Sequence, residues 1–154
     1  MDVAAIVAQM RRELPGLDAL EHEGDWFFYY RPEGGETDHR LPFATIVTRD
    51  DPHEGGVARL DRPGVFRFSV AAGRYEYGRR FGPVPVPRPD WGVLDTGHDP
   101  AELDLLMPHP VYAPMGWVCV LSPSVATWRE VWPLVSRAYE TARRRREVRD
   151  GRAR

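Results

Sequence analysis

One short stretch of the chain gathers residue types that do chemistry near neutral pH. Residues 107–124, MPHPVYAPMGWVCVLSPS, place His109 between two prolines. Proline fixes its own φ angle and drives the preceding residue toward extended backbone, so the backbone of His109 is held stiffly. A stiffly held imidazole suits general acid–base catalysis. The alternatives are that His109 contacts a ligand, or bonds to a backbone carbonyl and fixes the loop.

The same stretch carries the only cysteine of the chain, Cys119, between two valines. Buried thiols behave as small apolar groups and are inert, so we predict a core cysteine. A Cys–His nucleophile with His109 is not required by the ten-residue spacing. Trp117 shares a strand face with Cys119, which favours core packing, with a wall of a pocket as the alternative.

Arg67 is the second candidate, because it lies in the alternating run VFRFSVA, residues 65–71. Its side chain points to the face opposite Phe66 and Phe68. If that face is solvent, Arg67 is an ordinary surface residue. If it is a concave sheet surface, the guanidinium can hold a carboxylate or phosphate through two hydrogen bonds.

Other kinds of site find little support in the spacing of residues. The five histidines are scattered, and no HxH, HxxxH or CxxC pattern occurs, so no metal site is predicted. The glycine pairs in PEGGE and HEGGV lack the strand-to-helix context of a phosphate-binding loop. No cofactor is predicted.

Composition limits the classes of protein that the chain can belong to. It has 154 residues, a formal net charge of −2, and arginine as its only long basic side chain. Strong non-specific nucleic-acid binding needs a net basic face and is not predicted. The last twelve residues, RRRREVRDGRAR, hold most of the local positive charge. They indicate a solvated helix end and tail, with a tail that binds a partner or nucleic acid as the alternative.

Compartment follows from three features of the sequence. The N-terminus lacks a secretory pattern, and no apolar run approaches the length of a membrane span. A single cysteine excludes an intramolecular disulfide. We therefore expect a reduced, cytoplasmic protein that does not contact a membrane.

Periodicity predicts the elements that must position these residues. Helical spacing occurs near both termini, and short alternating or apolar runs joined by turns lie between them. Thr127 and Glu130 fit a capping box for the last helix, whereas Pro133 predicts a kink or a start nearer residue 132. One or two helical turns are predicted from Asp99. Strands are predicted at residues 17–21, 26–30, 43–48, 65–71 and 115–121, with a short helix at 72–82.

These elements predict the architecture. Short links cannot join parallel strands, so we expect an α+β fold with a four- to five-stranded antiparallel sheet. The N- and C-terminal helices would pack on one face. The domain would span residues 1–146, and residues 147–154 would form an Arg-rich flexible tail.

Five segments carry a family resemblance that runs from about residue 14 to 145. FFYY, LPFATIVTRD, LDRPGVFRFSV, LDLLMPHPVYAPMGWVCVLSPS and VWPLVSRAYETA together resemble the DUF6194 family of small bacterial proteins. That resemblance implies a family without an assigned activity. HPVYAPMGWVCVLSPS, followed by a helix ending SRAYE, is also similar to the MmcQ/YjbR-like fold. This second resemblance implies an α+β fold and a DNA-binding label, from which the acidic balance of the chain departs.

These features leave more than one function open. We expect a pocket on the sheet face opposite the helices, with loops 31–42, 50–62 and 82–98 around it. His39, Arg67, His109 and Tyr112 are the candidate lining residues. The leading hypothesis is a binding module for a small molecule or a protein, acting as a monomer or homodimer. The alternatives are a small enzyme using His109 as acid or base on an anionic substrate, and weak nucleic-acid binding.

Overall fold

The computed structural model describes residues 1–153. Three helices and six strands form most of the regular structure, with 3₁₀ turns at Pro52–Glu54 and Ala113–Met115. In chain order the elements are α1 (Val3–Glu13), β1 (Leu17–His22), β2 (Asp25–Tyr30), β3 (Ala44–Val47), β4 (Arg67–Ala71), α2 (Arg74–Phe81), β5 (Met107–Pro108), β6 (Trp117–Leu121) and α3 (Val125–Ala153).

The six strands form one antiparallel sheet in the order β1-β2-β3-β4-β6-β5. The α+β class and the antiparallel pairing are confirmed, but the predicted count of four to five strands is wrong. The additional strand is β5, which pairs Met107 with Cys119 and Pro108 with Val118. The sequence did not predict β5, because two residues are too few to show an alternating pattern. Pro108 also restricts this segment to the edge of a sheet, since proline cannot donate a hydrogen bond within a central strand.

One face of the sheet packs against α1 and α3. Phe28 of β2, Ile46 of β3 and Phe68 of β4 are fully buried on this face. They share one apolar cluster with Met10 of α1 and Val131 of α3, as the helical spacing near both termini predicts. This core holds the sheet rigidly and leaves its other face for a site.

The opposite face carries the alternate residues of the same strands. Its β4–β6 end is covered by loops that form a second, smaller apolar cluster with Cys119 and Leu121. The cluster also contains Ala58 and Leu60 from the loop that follows β3. Because these loops cover only part of the face, a concave region remains over the centre of the sheet.

The last helix differs from its predicted form at both ends. It begins at Val125, and Ser124 Oγ accepts a hydrogen bond from the Thr127 backbone N–H at 3.2 Å, so Ser124 is the cap and Thr127 lies inside the helix. Pro133 is accommodated within the helix rather than at its start. Residues 147–153, predicted as part of a tail, continue the helix to Ala153, and the tail residue Arg154 lies outside the described residues.

Two further observations complete the fold. The segment after Asp99 forms a single turn, in which the Glu102 N–H donates to the Asp99 carbonyl at 3.1 Å, instead of the predicted helical turns. Within residues 1–153, no helix combines the length and the apolar character needed to cross a membrane.

Candidate functional site

A cavity of about 640 Å³ opens on the sheet face opposite α1 and α3. Its floor is made by strand residues that alternate with the core positions, and its walls come from the segments around residues 41–54 and 109–117. The lining comprises Asp25, Phe27, Leu41, Pro42, Thr45, Val47, Arg49, Asp50, Asp51, Pro52, Glu54, Arg67, His109, Tyr112, Met115 and Trp117. We call this space the sheet cavity.

Three of the four candidate lining residues meet in the sheet cavity: Arg67, His109 and Tyr112. The fourth, His39, lies elsewhere. Its ring packs edge-on against Tyr29 with 5.0 Å between ring centroids, and its Nε2 is 3.5 Å from a carboxylate oxygen of Asp18. Loops 31–42 and 50–62 both contribute to the lining as expected, whereas loop 82–98 does not.

Arg67 is engaged by a partner from its own chain. Its two terminal nitrogens donate to the two carboxylate oxygens of Glu54 at 2.8 and 2.9 Å, and both side chains are buried. Burial alone would lower the pKa of Arg67, but the hydrogen bonds and the charge of Glu54 outweigh it and raise the pKa. The carboxylate that Arg67 holds is therefore that of Glu54, a residue of its own chain.

Two buried hydrogen-bonding atoms beside this pair have no protein partner among the described residues. They are Nε of Arg67 and Oγ of Ser69, two residues apart on the cavity side of β4. A buried polar group without a partner costs about 1–3 kcal/mol. The middle of β4 beneath the cavity therefore carries buried polar groups.

His109 is fixed as a neutral hydrogen-bond donor. Its Nδ1 accepts from the backbone N–H groups of Val111 and Tyr112, both at 3.0 Å, so the ring proton resides on Nε2. The residue is only 2% exposed. Burial, and secondarily the charge of Arg67, hold the pKa of His109 well below its ordinary value.

His109 fixes its loop through different bonds from those expected. It does fix the loop, but by accepting from amide N–H groups rather than by donating to a carbonyl. A general base needs a lone pair facing the substrate, and the lone pair of Nδ1 is already used. What remains for chemistry at the cavity is the Nε2–H group.

Cys119 lies beneath the site and is not positioned as a nucleophile. It is 1% exposed, and burial raises the pKa of its thiol to about 12. Its Sγ donates weakly to the Pro108 carbonyl at 3.8 Å. Its burial confirms the prediction of a core cysteine. A thiol that stays protonated is also a poor nucleophile.

Aromatic rings form one wall of the sheet cavity. Tyr112 lies 4.9 Å from the His109 ring and 6.4 Å from the Trp117 ring, measured between centroids. Tyr112 is 44% exposed at the cavity mouth, whereas Trp117 is 6% exposed and forms part of the interior wall. The wall offers a stacking surface to a planar or apolar molecule.

Sequence reasoning missed the acidic members of the lining. Asp25 accepts from the Thr48 N–H at 2.8 Å, Asp50 from the Leu60 N–H at 2.9 Å, and Asp51 from the His53 N–H at 2.8 Å. The sequence signal was the pair Asp50 and Asp51, which follows closely after the strand predicted at residues 43–48. Aspartate at that position is also an ordinary turn residue, so the pattern alone does not mark a site.

Within residues 1–153, no group of three His, Cys, Asp or Glu side chains is arranged to hold a metal ion. The polar groups of the sheet cavity are instead a neutral imidazole N–H, aspartates already bonded to backbone amides, and two guanidinium groups that are each paired with a glutamate of the chain. This set suits hydrogen bonding and apolar contact with an organic molecule.

Comparison with known proteins places the chain by sequence. Residues 1–151 match the family model described as a family of unknown function, DUF6194. No curated protein and no solved structure matches the chain. The similarity to the MmcQ/YjbR-like fold therefore gains no support, and the functional argument rests on the geometry of the sheet cavity.

Proposed function

The chain belongs to the DUF6194 family, and we propose that it is a binding module for a small, largely apolar molecule that accepts a hydrogen bond. The observation that carries the proposal is the sheet cavity of about 640 Å³, in which aromatic and aliphatic walls surround the fixed Nε2–H donor of His109. Ligand sites typically combine such walls with a few precisely placed polar groups.

Charge in the sheet cavity indicates which ligands it favours. Four carboxylates line it against two arginines, which leaves a formal charge of −2. Within this count, Glu54 matches the charge of Arg67 at 2.8 Å, so the aspartates account for the negative excess. A neutral or cationic molecular part is therefore favoured here, and an anion in contact with these walls is disfavoured.

The enzyme alternative is the weaker candidate. Acid–base catalysis by His109 would require its pKa to lie near the working pH, but burial lowers that pKa well below the ordinary value. An anionic substrate would also find Arg67 occupied by Glu54. Both observations favour binding over catalysis at this site.

Nucleic-acid binding is also less favoured. It would need the arginines of α3 to present one continuous basic face. Arg137 instead pairs with Glu76 at 3.2 Å, and Arg143 pairs with Glu140 at 2.9 Å and with Glu147 at 2.6 Å. These pairs interrupt the positive charge along the helix.

The proposal is tested by titrating the protein with 1-naphthol, a neutral aromatic molecule whose oxygen can accept from His109. We expect saturable amide shifts in NMR spectra at Thr45, Tyr112 and Trp117. His109→Asn keeps an oxygen where Nδ1 lies, so the loop stays fixed, but it removes the Nε2–H donor. Loss of one neutral hydrogen bond should weaken binding about three- to tenfold.

His22→Asn is the matched control, because the His22 side chain is 79% exposed on β1 and does not line the sheet cavity. It should bind 1-naphthol as the natural protein does. The proposal is overturned if no saturable shifts occur at the cavity residues, or if His109→Asn and His22→Asn bind the probe equally well.

A further inference from the structure

A second cavity of about 490 Å³ lies beside the sheet cavity, between the C-terminal half of α3 and the segment 38–43. Leu41, Pro42, Met115 and Trp117 line both cavities. The two spaces therefore share a boundary of apolar side chains. Leu41 and Met115 are 57% and 44% exposed, so this boundary is open to solvent rather than closed by the core. We call the second space the arginine groove.

The arginine groove has the opposite charge to the sheet cavity. Arg40, Arg145, Arg146 and Arg149 line it against a single carboxylate, Asp38, for a formal charge of +3. Asp150 does not line the groove, but it pairs with Arg146 at 2.9 Å. Including Asp150 lowers the formal charge of the groove to +2. An excess of guanidinium groups favours phosphate or carboxylate.

Internal pairing leaves Arg145 as the best-placed donor to an incoming anion. Arg40 and Arg149 both bond to Asp38, at 2.8 and 2.6 Å. Arg145 is exposed and has no ion pair within residues 1–153. Its guanidinium can turn toward a ligand without breaking a contact, so it carries little cost of rearrangement.

From this adjacency we infer that the ligand of the sheet cavity has two parts: an aromatic or apolar body and an anionic group that lies in the arginine groove. The inference rests on the proposed function, because the body is the molecule bound beside His109. Charge complementarity fixes the orientation: the acidic sheet cavity disfavours the anion, and the arginine groove provides for it. The class of ligand is therefore a small aromatic or apolar molecule that carries a phosphate or carboxylate.

The test compares three probes: 1-naphthol, 5-hydroxy-1-naphthyl phosphate and inorganic phosphate. In the second probe the hydroxyl that accepts from His109 and the phosphate are on different rings. We expect 5-hydroxy-1-naphthyl phosphate to bind about tenfold or more tightly than 1-naphthol, and inorganic phosphate alone to bind weakly. Arg145→Gln should remove most of that difference while leaving 1-naphthol binding within about twofold. Raising the salt from about 50 to about 300 mM should weaken only the phosphate ester.

Arg144→Gln is the matched control, since Arg144 is an exposed neighbour on α3 that lines neither cavity. It should change the affinity of neither probe. If 1-naphthol binds but 5-hydroxy-1-naphthyl phosphate binds no tighter, or if Arg145→Gln leaves the difference intact, the inference is overturned and the proposed function stands. If neither aromatic probe binds, the proposed function fails and the inference fails with it.

Discussion

His109 shows how strongly the local environment decides the chemistry of one residue. Two backbone N–H groups at 3.0 Å, together with burial and the nearby charge of Arg67, keep its ring neutral. A histidine in this state does not shuttle protons at neutral pH, but it presents a rigid N–H donor whose direction is fixed by the loop. That is the property a binding site requires.

The lowered pKa of His109 predicts a dependence of stability on pH. Below pH 6.5, the ordinary pKa of histidine, His109 takes up a proton in the unfolded chain but stays neutral in the folded chain. The free energy of unfolding is therefore highest above about pH 6.5 and decreases as the pH falls. We expect this residue to lower the unfolding free energy progressively as the pH falls from about 7 to about 5. Urea unfolding at a series of pH values measures it.

His109→Asn isolates this contribution, because asparagine can accept from the same amides but does not titrate. The variant should lose less stability over that pH range than the natural protein does. NMR titration gives a second readout, in which the His109 ring resonances should not move near pH 6.5. Equal pH slopes for the two proteins would contradict the prediction.

At the level of elements, the turn before β6 determines where the aromatic wall lies. The 3₁₀ turn Ala113–Met115 ends at Gly116, whose φ is +78°. The Gly116 carbonyl accepts from the Gly73 N–H at 3.1 Å, at the start of α2. Met115 and Trp117, which line both cavities, flank this glycine and depend on its backbone conformation.

Gly116→Ala should therefore be strongly destabilising. An added Cβ would lie 2.7 Å from the Gly73 carbonyl carbon and 3.0 Å from the Arg74 nitrogen, which are backbone atoms that cannot turn aside. Because this steric overlap adds to the penalty for a side chain at positive φ, we expect a loss of about 2–4 kcal/mol in unfolding free energy. Urea or thermal unfolding measures this loss.

Gly55→Ala separates the two causes. Its φ is +63°, but a Cβ there would meet nothing within 4 Å. It should cost only about 1 kcal/mol, the penalty for a side chain in the left-handed region. If the two variants lose the same stability, the close approach of the turn to α2 is not what constrains Gly116.

At the scale of the whole molecule, one buried ion pair connects the loop after β3 to the centre of the sheet. Glu54 and Arg67 are thirteen positions apart and bond through both oxygens and both terminal nitrogens. Glu54 thus holds the loop that forms one wall of the sheet cavity. Their opposite charges cancel, so the negative charge of the sheet cavity comes from its aspartates, while the arginine groove stays positive.

Breaking this pair from one side should be costly. Glu54→Gln leaves the buried charge of Arg67 without its partner, and we expect a loss of about 3–5 kcal/mol in unfolding free energy. The double variant Glu54→Leu, Arg67→Met removes both charges and should recover most of that loss. If the double variant is no more stable than Glu54→Gln, the unpaired charge of Arg67 is not the cause of the stability loss in Glu54→Gln.

The sequence by itself determined the α+β class, the two terminal helices, the antiparallel pairing and five of the six strands. These features follow from hydrophobic period and turn residues, which act over a few positions along the chain. The buried state of Cys119 follows for the same reason, since a run of apolar residues in a strand marks a core position. The two-residue strand β5 is below the length at which a period exists.

Only the tertiary structure decided which side chains share a site and what each one does there. Arg67, His109 and Tyr112 come together because β4 and the loop before β6 lie side by side, whereas His39 packs against Tyr29 instead. The partner of Arg67 is a carboxylate from a separate loop, and the acceptor role of His109 Nδ1 depends on a turn that brings two amides to it. Such contacts depend on distances in space, which spacing along the chain does not specify.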